Sequence, residues 1–204
     1  VRVEHKQQMI NDSQYGCNPQ YKLPDAAYKV TANLPNKRGV YSFCMCPGGY
    51  VVNASSEKDH LAVNGMSYHA RDKENSNSAL VVTVGPEDFE GSSVLRGMEF
   101  QRHYEALAYK VGGGDYKAPV QLLGDFVNDR KSTKLGAVTP SYKPGFEFAD
   151  MRECLPSYVV EAIKDGVNNF DRKIKGYGRK DAVLTGRKLD QKVYRHHSGY
   201  IGGM

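Results

Sequence analysis

Two short stretches of this chain concentrate side chains that can do chemistry. Cys44 and Cys46 lie in a strand-like run that ends at a Pro-Gly-Gly turn. Tyr68, His69 and Arg71 follow a second strand-like run. A thiol can exchange electrons, an imidazole can transfer a proton near neutral pH, and a guanidinium can bind a carboxylate or phosphate. The sequence therefore predicts a functional site built from these two stretches.

The Cys-x-Cys pair has three interpretations. On a regular strand both side chains would lie on one face, where they could form a redox pair or supply two thiolate ligands to a metal. Zinc needs two further ligands, and no spacing of the histidines provides them, so we expect no metal. The pair also lacks the two-residue spacer and helix N-terminus that activate thiols. Two small, buried, apolar side chains are therefore the simplest interpretation of Cys44 and Cys46.

The residues at 68, 69 and 71 stand where a strand gives way to a loop, and functional residues concentrate at such transitions. Alternation would place His69 and Arg71 on one face and Tyr68 on the other. His69 is a candidate general acid or base, and Arg71 a candidate clamp for an anion. The alternative is a hydrogen-bonded histidine beside a surface arginine. Asn75 and Asn77, in the polar segment that follows, are expected to form turns.

The composition is that of a globular protein, with 40% hydrophobic and 25% charged residues among 204. The sequence has neither an apolar run that could cross a bilayer nor a signal peptide, which predicts a cytoplasmic protein without membrane contact. Four cysteines are too few and too scattered for a disulfide scaffold. The net charge is +5, with the basic residues concentrated late in the chain. No base-stacking platform accompanies them, so nucleic acid is not an expected partner.

The periodicity of the apolar residues predicts an α+β fold. Short alternating runs before residue 85 predict strands in an antiparallel or mixed sheet, which could close into a barrel. Apolar spacings of three and four predict a helix over 95–111, ended by three glycines. A strand is predicted over 118–126, with a break at Gly124. Two further helices are expected within 147–175, a short one over 148–155 and a second beginning at Pro156, which makes about three helices in all. The polar loop 128–145 contains proline and glycine and is expected to be mobile.

Several longer phrases of the sequence resemble one protein family. They include residues 39–49 (GVYSFCMCPGG), 64–72 (NGMSYHARD), 97–102 (GMEFQR) and 121–126 (QLLGDF). In these phrases the chain resembles the FAD-dependent, dehydrogenase-like flavoproteins, the NAD(FAD)-utilising dehydrogenases. The resemblance covers most of residues 1–186. It implies that 1–186 form a substrate-side domain inserted into the dinucleotide-binding domain of a longer protein, with a β-rich part and a helical part near 95–111 and 147–175.

By this resemblance the longer protein is an FAD-dependent oxidoreductase that acts on an unknown small-molecule substrate, with NAD(P)H as a candidate electron donor. The domain would cover the flavin and form the substrate pocket, with the rest of the parent protein as its partner. Tyr68, His69 and Arg71 would be catalytic, and Cys44 and Cys46 would contact the cofactor side of the pocket. The chain has no Gly-x-Gly-x-x-Gly motif, so it is expected to bind no cofactor by itself and to be inactive in isolation.

Residues 187–204 form a basic, glycine-ended tail that departs from the family pattern. Gly199, Gly202 and Gly203 resemble the glycine turn that contacts flavin in the family, but the segment before them does not match. An internal deletion, an artificial junction or divergence would each produce such an end. Two other functions stay open: a non-catalytic binding module that uses the basic late segment, and a cysteine-based redox protein.

Overall fold

The computed structural model describes residues 1–16 and 23–186. That part of the chain contains nine strands and four α-helices, which confirms the α+β class. In chain order they are β1 (Arg2–Lys6), α1 (Gln7–Tyr15), β2 (Thr31–Asn33), β3 (Gly39–Cys46), β4 (Gly49–Asn53), β5 (Val63–Ser67), β6 (Asn75–Val82), α2 (Arg96–Val111), β7 (Ala118–Leu122), α3 (Leu123–Val127), β8 (Phe146–Phe148), α4 (Ser157–Asp171) and β9 (Val183–Thr185). Short 3-10 helices occupy Pro86–Asp88 and Met151–Glu153.

Seven strands form one mixed sheet in the order β2-β3-β6-β1-β9-β7-β8. Every pairing is antiparallel except that of β7 with β8. Because β2 and β8 are edges, the sheet is open and does not close into a barrel. The remaining two strands, β4 and β5, pair only with each other as an antiparallel hairpin. No helix in the described ranges is both long and apolar enough to cross a bilayer.

The central strand β1 divides its side chains between two covered faces of the sheet. Val3 pairs with Ser78 and lies on the face that packs against α4, which we call the helix face. Arg2 and Glu4 lie on the opposite face, which the β4–β5 hairpin covers, and which we call the hairpin face. Both faces of β1 are therefore buried, including the two charged side chains.

Helix α4 packs an apolar stripe against the helix face. Ile163, Val167 and Phe170 recur at the helical spacing predicted from the sequence, and each is at most 3% exposed. Burying a side chain of this size contributes roughly 1.5–3 kcal/mol to folding. Gly166 lies on the same face and allows the helix to approach β3 closely, because a Cβ there would stand 2.6 Å from Val40 Cγ1.

Three segments differ from their sequence-based expectation. The strand predicted through residue 126 ends at Leu122, and α3 begins at once, where Gly124 packs against Lys180. A short helix predicted over 148–155 is instead the end of β8 followed by a 3-10 turn. The loop 128–145, which was expected to be mobile, packs into the fold through Val138 and Tyr142, which are buried. The Tyr142 hydroxyl donates to the Tyr116 carbonyl oxygen at 2.8 Å.

Asn75 and Asn77 do not form turns. Both lie within β6 on the hairpin face and are buried. The prediction of turns was wrong because the hydrogen-bond partners of these polar residues come from distant segments of the chain. Asn75 bonds to Glu4 and Thr139, and Asn77 bonds to Arg2. These partners satisfy Asn75 Nδ2 and Asn77 Oδ1, whereas Asn75 Oδ1 and Asn77 Nδ2 are buried without a hydrogen-bond partner among the described residues.

Candidate functional site

The turn that begins β4 and the turn that follows β5 pack directly against each other. Ser67 Oγ donates to the Pro47 carbonyl oxygen at 2.6 Å, and the Lys73 amide donates to the Gly48 carbonyl oxygen at 3.3 Å. From the other side, the Gly48 amide donates to Gln7 Oε1 at 2.9 Å. The two stretches that the sequence marked as chemically capable therefore meet at one end of the hairpin.

Glycine is required at position 48 for this approach. Gly48 has φ +46°, and a Cβ on it would lie 1.8 Å from the Arg71 carbonyl oxygen. Arg71 itself has φ +50°, and its amide donates to the Tyr68 carbonyl oxygen at 3.0 Å, which closes the turn. The alternation of a strand therefore stops before His69, and the predicted one-face arrangement of His69 and Arg71 gives way to a tight turn.

Pro24, Asp25 and residues 67–71 line an open cleft of about 450 Å³ at this end of the hairpin. Tyr68 is 61% exposed, and His69 and Arg71 are exposed at the cleft. Within the described residues neither His69 nor Arg71 has a side-chain hydrogen bond or ion pair. An imidazole and a guanidinium with this freedom can reach a bound anion, the first to transfer a proton and the second to bind charge.

An aromatic surface with positive charge adjoins the cleft on the outer side of the hairpin. The rings of Tyr50 and Tyr68 meet edge to face, 5.9 Å between centroids. Lys73 Nζ lies 6.0 Å from both ring centroids, and Lys143 Nζ lies 5.1 Å from that of Tyr50. Cations at these distances are attracted to the ring faces. Lys73 Nζ also pairs with Asp72 Oδ1 at 2.9 Å, whereas Lys143 has no ion pair among the described residues.

The cysteines are not two buried apolar side chains, as the simplest interpretation had it. Cys44 is exposed and Cys46 is half-buried. The register of β3 against β6 shifts between Phe43 and Cys46, and Cys44 adopts φ +47°. This bulge interrupts the alternation that would have placed both thiols on one face. Neither cysteine is among the residues that line the cleft.

Arg2 is a site residue that the sequence analysis missed. Its side chain is fully buried on the hairpin face, where Nε donates to Asn77 Oδ1 at 2.9 Å. Nη2 donates to the Cys44 carbonyl oxygen at 2.9 Å and to Cys46 Sγ at 3.5 Å. Burial lowers the pKa of Arg2, and the neighbouring Cys46 opposes that shift. The alternating run Val-Arg-Val-Glu predicts a strand, and nothing local in the sequence reveals the hairpin that covers its charged face.

Glu4 anchors the loop 128–145 to the same face. Its carboxylate accepts hydrogen bonds from the Ser141 amide at 3.1 Å, from Asn75 Nδ2 at 3.1 Å and from Thr185 Oγ1 at 3.3 Å. Burial raises the pKa of Glu4, and these hydrogen bonds oppose the rise. Asn75 Nδ2 also donates to the Thr139 carbonyl oxygen at 2.8 Å. The loop is thus tied to two neighbouring strands of the sheet.

No group of three or more His, Cys, Asp or Glu side chains within 1–16 and 23–186 is arranged to hold a metal ion. Gly199, Gly202 and Gly203 lie outside the described residues, so the expected flavin contact of the tail stays a prediction.

The described residues do not fit the pyrophosphate of FAD. That group is bound where a glycine-rich turn leads from a strand into a helix N-terminus. Gly112 to Gly114 instead follow the C-terminus of α2, where the Gly112 amide bonds back to the Ala108 carbonyl. The junction of β7 with α3 carries only Gly124, whose Cβ position Lys180 already blocks at 2.7 Å.

Comparison with known proteins adds a family. The family model described as "FAD-dependent protein, C-terminal domain-like" matches residues 1–189. A Clostridium beijerinckii protein described as uncharacterised is 67% identical over 188 residues, which are 91% of this chain and 35% of that protein. The chain therefore spans about a third of the length of this relative.

A second set of matches concerns the large ribosomal subunit protein uL13. In Desulfitobacterium hafniense it is 77% identical over 22 residues, which cover 11% of this chain and 15% of that protein. In Thermotoga maritima it is 33% identical over 84 residues, 41% of this chain and 42% of that protein. These partial matches carry no argument about the cleft.

Proposed function

The chain belongs to the FAD-dependent protein, C-terminal domain-like family, and from that premise we propose that it is the substrate-side domain of an FAD-dependent oxidoreductase. One observation carries the proposal: the turns at Gly48 and at Arg71 lock together, so that Tyr68, His69 and Arg71 share one cleft. Because the described residues lack a pyrophosphate cradle, we infer that the rest of the longer protein holds FAD.

In this proposal each residue of the cleft has a separate task. Arg71 binds a carboxylate or phosphate of the substrate through its guanidinium. His69 accepts or donates the substrate proton through its imidazole. Tyr68 forms an apolar wall with a polar tip. The short turn sets the backbone positions of the three residues, because it is closed by the hydrogen bond from the Arg71 amide to the Tyr68 carbonyl oxygen.

The charge around the cleft supports an anionic small molecule as the substrate. Lys73 and Lys143 lie over the tyrosines beside the cleft, and Arg71 lies at its edge. Asp25 is the acidic residue among those that line the cleft, and it already accepts a hydrogen bond from Asn11 at 3.0 Å. Asp72 pairs with Lys73 at 2.9 Å, so Lys143 and Arg71, which have no ion pair among the described residues, are the cations that would attract an anion to the cleft.

The test uses the full-length flavoprotein with its own FAD, screened with NADH, NADPH and a panel of small organic acids as reductants under anaerobic conditions. Once a reductant of the flavin is found, His69→Gln is expected to lower the rate of flavin reduction roughly 100-fold, the scale of general acid–base catalysis. Arg71→Met is expected to raise KM at least tenfold. Both variants should retain stoichiometric flavin.

Matched controls lie elsewhere on the domain. His103 is exposed on α2, and Arg102 pairs with Glu57 in the loop at the far end of the hairpin. His103→Gln and Arg102→Met should leave the kinetics unchanged. Wild-type rates in both His69→Gln and Arg71→Met, with every reductant that serves the wild type, would refute the assignment of the cleft.

The inference that the rest of the longer protein holds FAD can be tested on the 204-residue chain. After incubation with FAD and removal of the excess, the chain is expected to show no flavin absorbance, while the full-length protein is yellow. If the chain retains one equivalent of flavin, the cofactor site lies largely within this chain, and the inference that FAD is held elsewhere is contradicted.

A further inference from the structure

We propose that Cys44 and Cys46 form a reversible disulfide, a two-electron redox couple that exchanges with thiols, and that Arg2 stabilises its reduced form. This couple is separate from the cleft, because neither cysteine lines it. Its failure and the failure of the substrate-side proposal would therefore be distinguishable.

The backbone brings the two cysteines into one irregular turn. A regular strand would hold residues two apart in an extended line. Here the register of β3 shifts between Phe43 and Cys46, and Cys44 has a left-handed φ of +47°. The Cys46 thiol lies 3.4 Å from the Cys44 carbonyl oxygen and folds back toward the residue with which it would pair. The bulge thus releases the pair from the geometry that keeps such cysteines apart.

The charge environment favours one sulfur over the other. Arg2 has no exposed surface, and its Nη2 lies 3.5 Å from Cys46 Sγ. Nη1 of the same guanidinium is buried without a hydrogen-bond partner among the described residues. No carboxylate in the described ranges forms an ion pair with Arg2. A buried cation without a counter-charge is costly, and a thiolate on Cys46 would supply that charge.

Exposure assigns the roles of the two sulfurs. An incoming thiolate attacks the exposed sulfur of Cys44, the bond between the two sulfurs breaks, and its electron pair leaves on Cys46 beside Arg2. A second thiol then attacks the mixed disulfide at the sulfur of the first thiol and releases Cys44. In total, two small-molecule thiols are oxidised to one disulfide, and the protein disulfide is reduced to two cysteine thiols. The two protons released by the small-molecule thiols go to Cys44 and Cys46.

Cys154 provides a contrast within the same chain. It is fully buried, and its thiol donates to the Met151 carbonyl oxygen at 3.6 Å. Thiol exchange needs access, so Cys154 should stay unreacted in the folded protein while the pair reacts. The sequence also separates the cysteines by tryptic peptide: 39–58 holds the pair and 153–164 holds Cys154.

The experiment titrates the full chain in buffers of reduced and oxidised glutathione, followed by acid quenching, alkylation and mass spectrometry of the tryptic peptides. Peptide 39–58 is expected to lose two hydrogen atoms, with a midpoint that follows a two-electron couple. Cys44→Ser and Cys46→Ser should each lose this transition and carry glutathione on the remaining cysteine. Mixed disulfides in the wild type at every ratio, or no reaction at all, would overturn the proposal.

The role of Arg2 needs a second comparison. Arg2→Met should favour the disulfide at least tenfold, a shift of about 30 mV toward more reducing potential for a two-electron couple. Lys6→Met, on the same strand but paired with Glu74 at the surface, should leave the midpoint unchanged. An unchanged midpoint in a folded Arg2→Met protein would refute the role of the arginine. If Arg2→Met does not fold, Arg2→Lys is the variant to measure, because it keeps the positive charge and should retain the wild-type midpoint. A shift in Arg2→Lys as large as that expected for Arg2→Met would refute the role of the Arg2 charge.

Discussion

Gly65 of the hairpin lies directly over the guanidinium of Arg2. A Cβ at Gly65 would stand 1.9 Å from Arg2 Nη2 and 2.3 Å from Asn77 Oδ1. The hairpin can therefore cover the buried arginine only because residue 65 has no side chain. This contact connects the sheet, the hairpin and the Cys46 thiol, since the same Nη2 donates to Cys46 Sγ.

Gly65→Ala is expected to destabilise the protein by about 1–3 kcal/mol, the usual cost of overpacking a fitted interior. The methyl group would push the hairpin away from Arg2 and loosen its hydrogen bonds to Asn77. The free energy of unfolding from urea titration measures this loss. Met66→Ala, an exposed position on the next residue, should change it by less than about 0.5 kcal/mol. If Gly65→Ala has the same free energy of unfolding as the wild type, the hairpin does not pack closely over Arg2.

Gly166→Ala should also destabilise, although alanine is the better helix former by roughly 1 kcal/mol. The new Cβ would lie 2.6 Å from Val40 Cγ1, and both residues are buried. We expect a net loss of about 1–3 kcal/mol in thermal or urea unfolding. Asn168→Ala, exposed on the same helix, should be neutral or slightly stabilising. The double variant Gly166→Ala/Val40→Ala should show strong coupling, and simple additivity of the two losses would contradict the contact.

The local pattern predicted much of this architecture. The stripe of α4 and the glycines after α2 follow from spacings of three and four and from helix-ending chemistry, which are local properties. The boundary of β7 and the burial of Asn75 depend on partners far along the chain, Lys180 and Glu4 among them. A local sequence pattern does not contain those partners, so Asn75 and Asn77 were expected in turns where the structure has a strand covered by a hairpin and a loop.

Stability should fall as the pH is lowered from 7 to 4 because of His5. Burial lowers the pKa of His5 to about 4, although the bond to the Tyr177 carbonyl oxygen at 2.7 Å opposes that shift. The unfolded chain binds the proton near pH 6.5, so below that value unfolding takes up a proton. The contribution of His5 to the free energy of unfolding is complete above pH 6.5 and is lost as the pH falls toward 4. The loss amounts to about 3 kcal/mol.

Urea unfolding at pH 7, 6, 5 and 4 measures this dependence. The slope, rather than the absolute stability, is the informative quantity, because His5→Gln also alters packing. In His5→Gln the free energy of unfolding should depend less on pH between 6.5 and 4, because the contribution of the imidazole is absent. His103→Gln, at an exposed position, should keep the wild-type slope. Identical slopes in the wild type and His5→Gln would show that this histidine does not titrate between the two states.

Ser141→Ala should loosen the loop 128–145 from the hairpin. Ser141 Oγ accepts a hydrogen bond from the Val51 amide at 2.8 Å, and Val51 is buried. Without that oxygen the amide has lost its partner, at a cost of roughly 1–3 kcal/mol. Hydrogen exchange of the Val51 amide should accelerate accordingly. Thr133→Ala, exposed in the same loop, should leave that exchange rate as it is.

Of the residues that the sequence marked as candidates, Tyr68, His69 and Arg71 line the cleft, whereas Cys44 and Cys46 do not. Residue type and clustering identified Cys44, Cys46, Tyr68, His69 and Arg71. The sequence did not reveal that Cys44 and Arg71 adopt left-handed backbone, because neither is a glycine and the tertiary contacts impose both turns. Those two residues break the expected alternation, which is why the assignment of faces was wrong.

The most direct test of the central claim is the visible absorbance spectrum of the flavin in the full-length protein, compared between the wild type, Arg71→Met and Arg102→Met. If the cleft of this domain faces the flavin, loss of the Arg71 charge shifts the flavin absorption band, while loss of the Arg102 charge at the far end of the hairpin does not. A spectrum of Arg71→Met that superimposes on the wild type, at full flavin content, would contradict the proposal that this cleft lies against the cofactor.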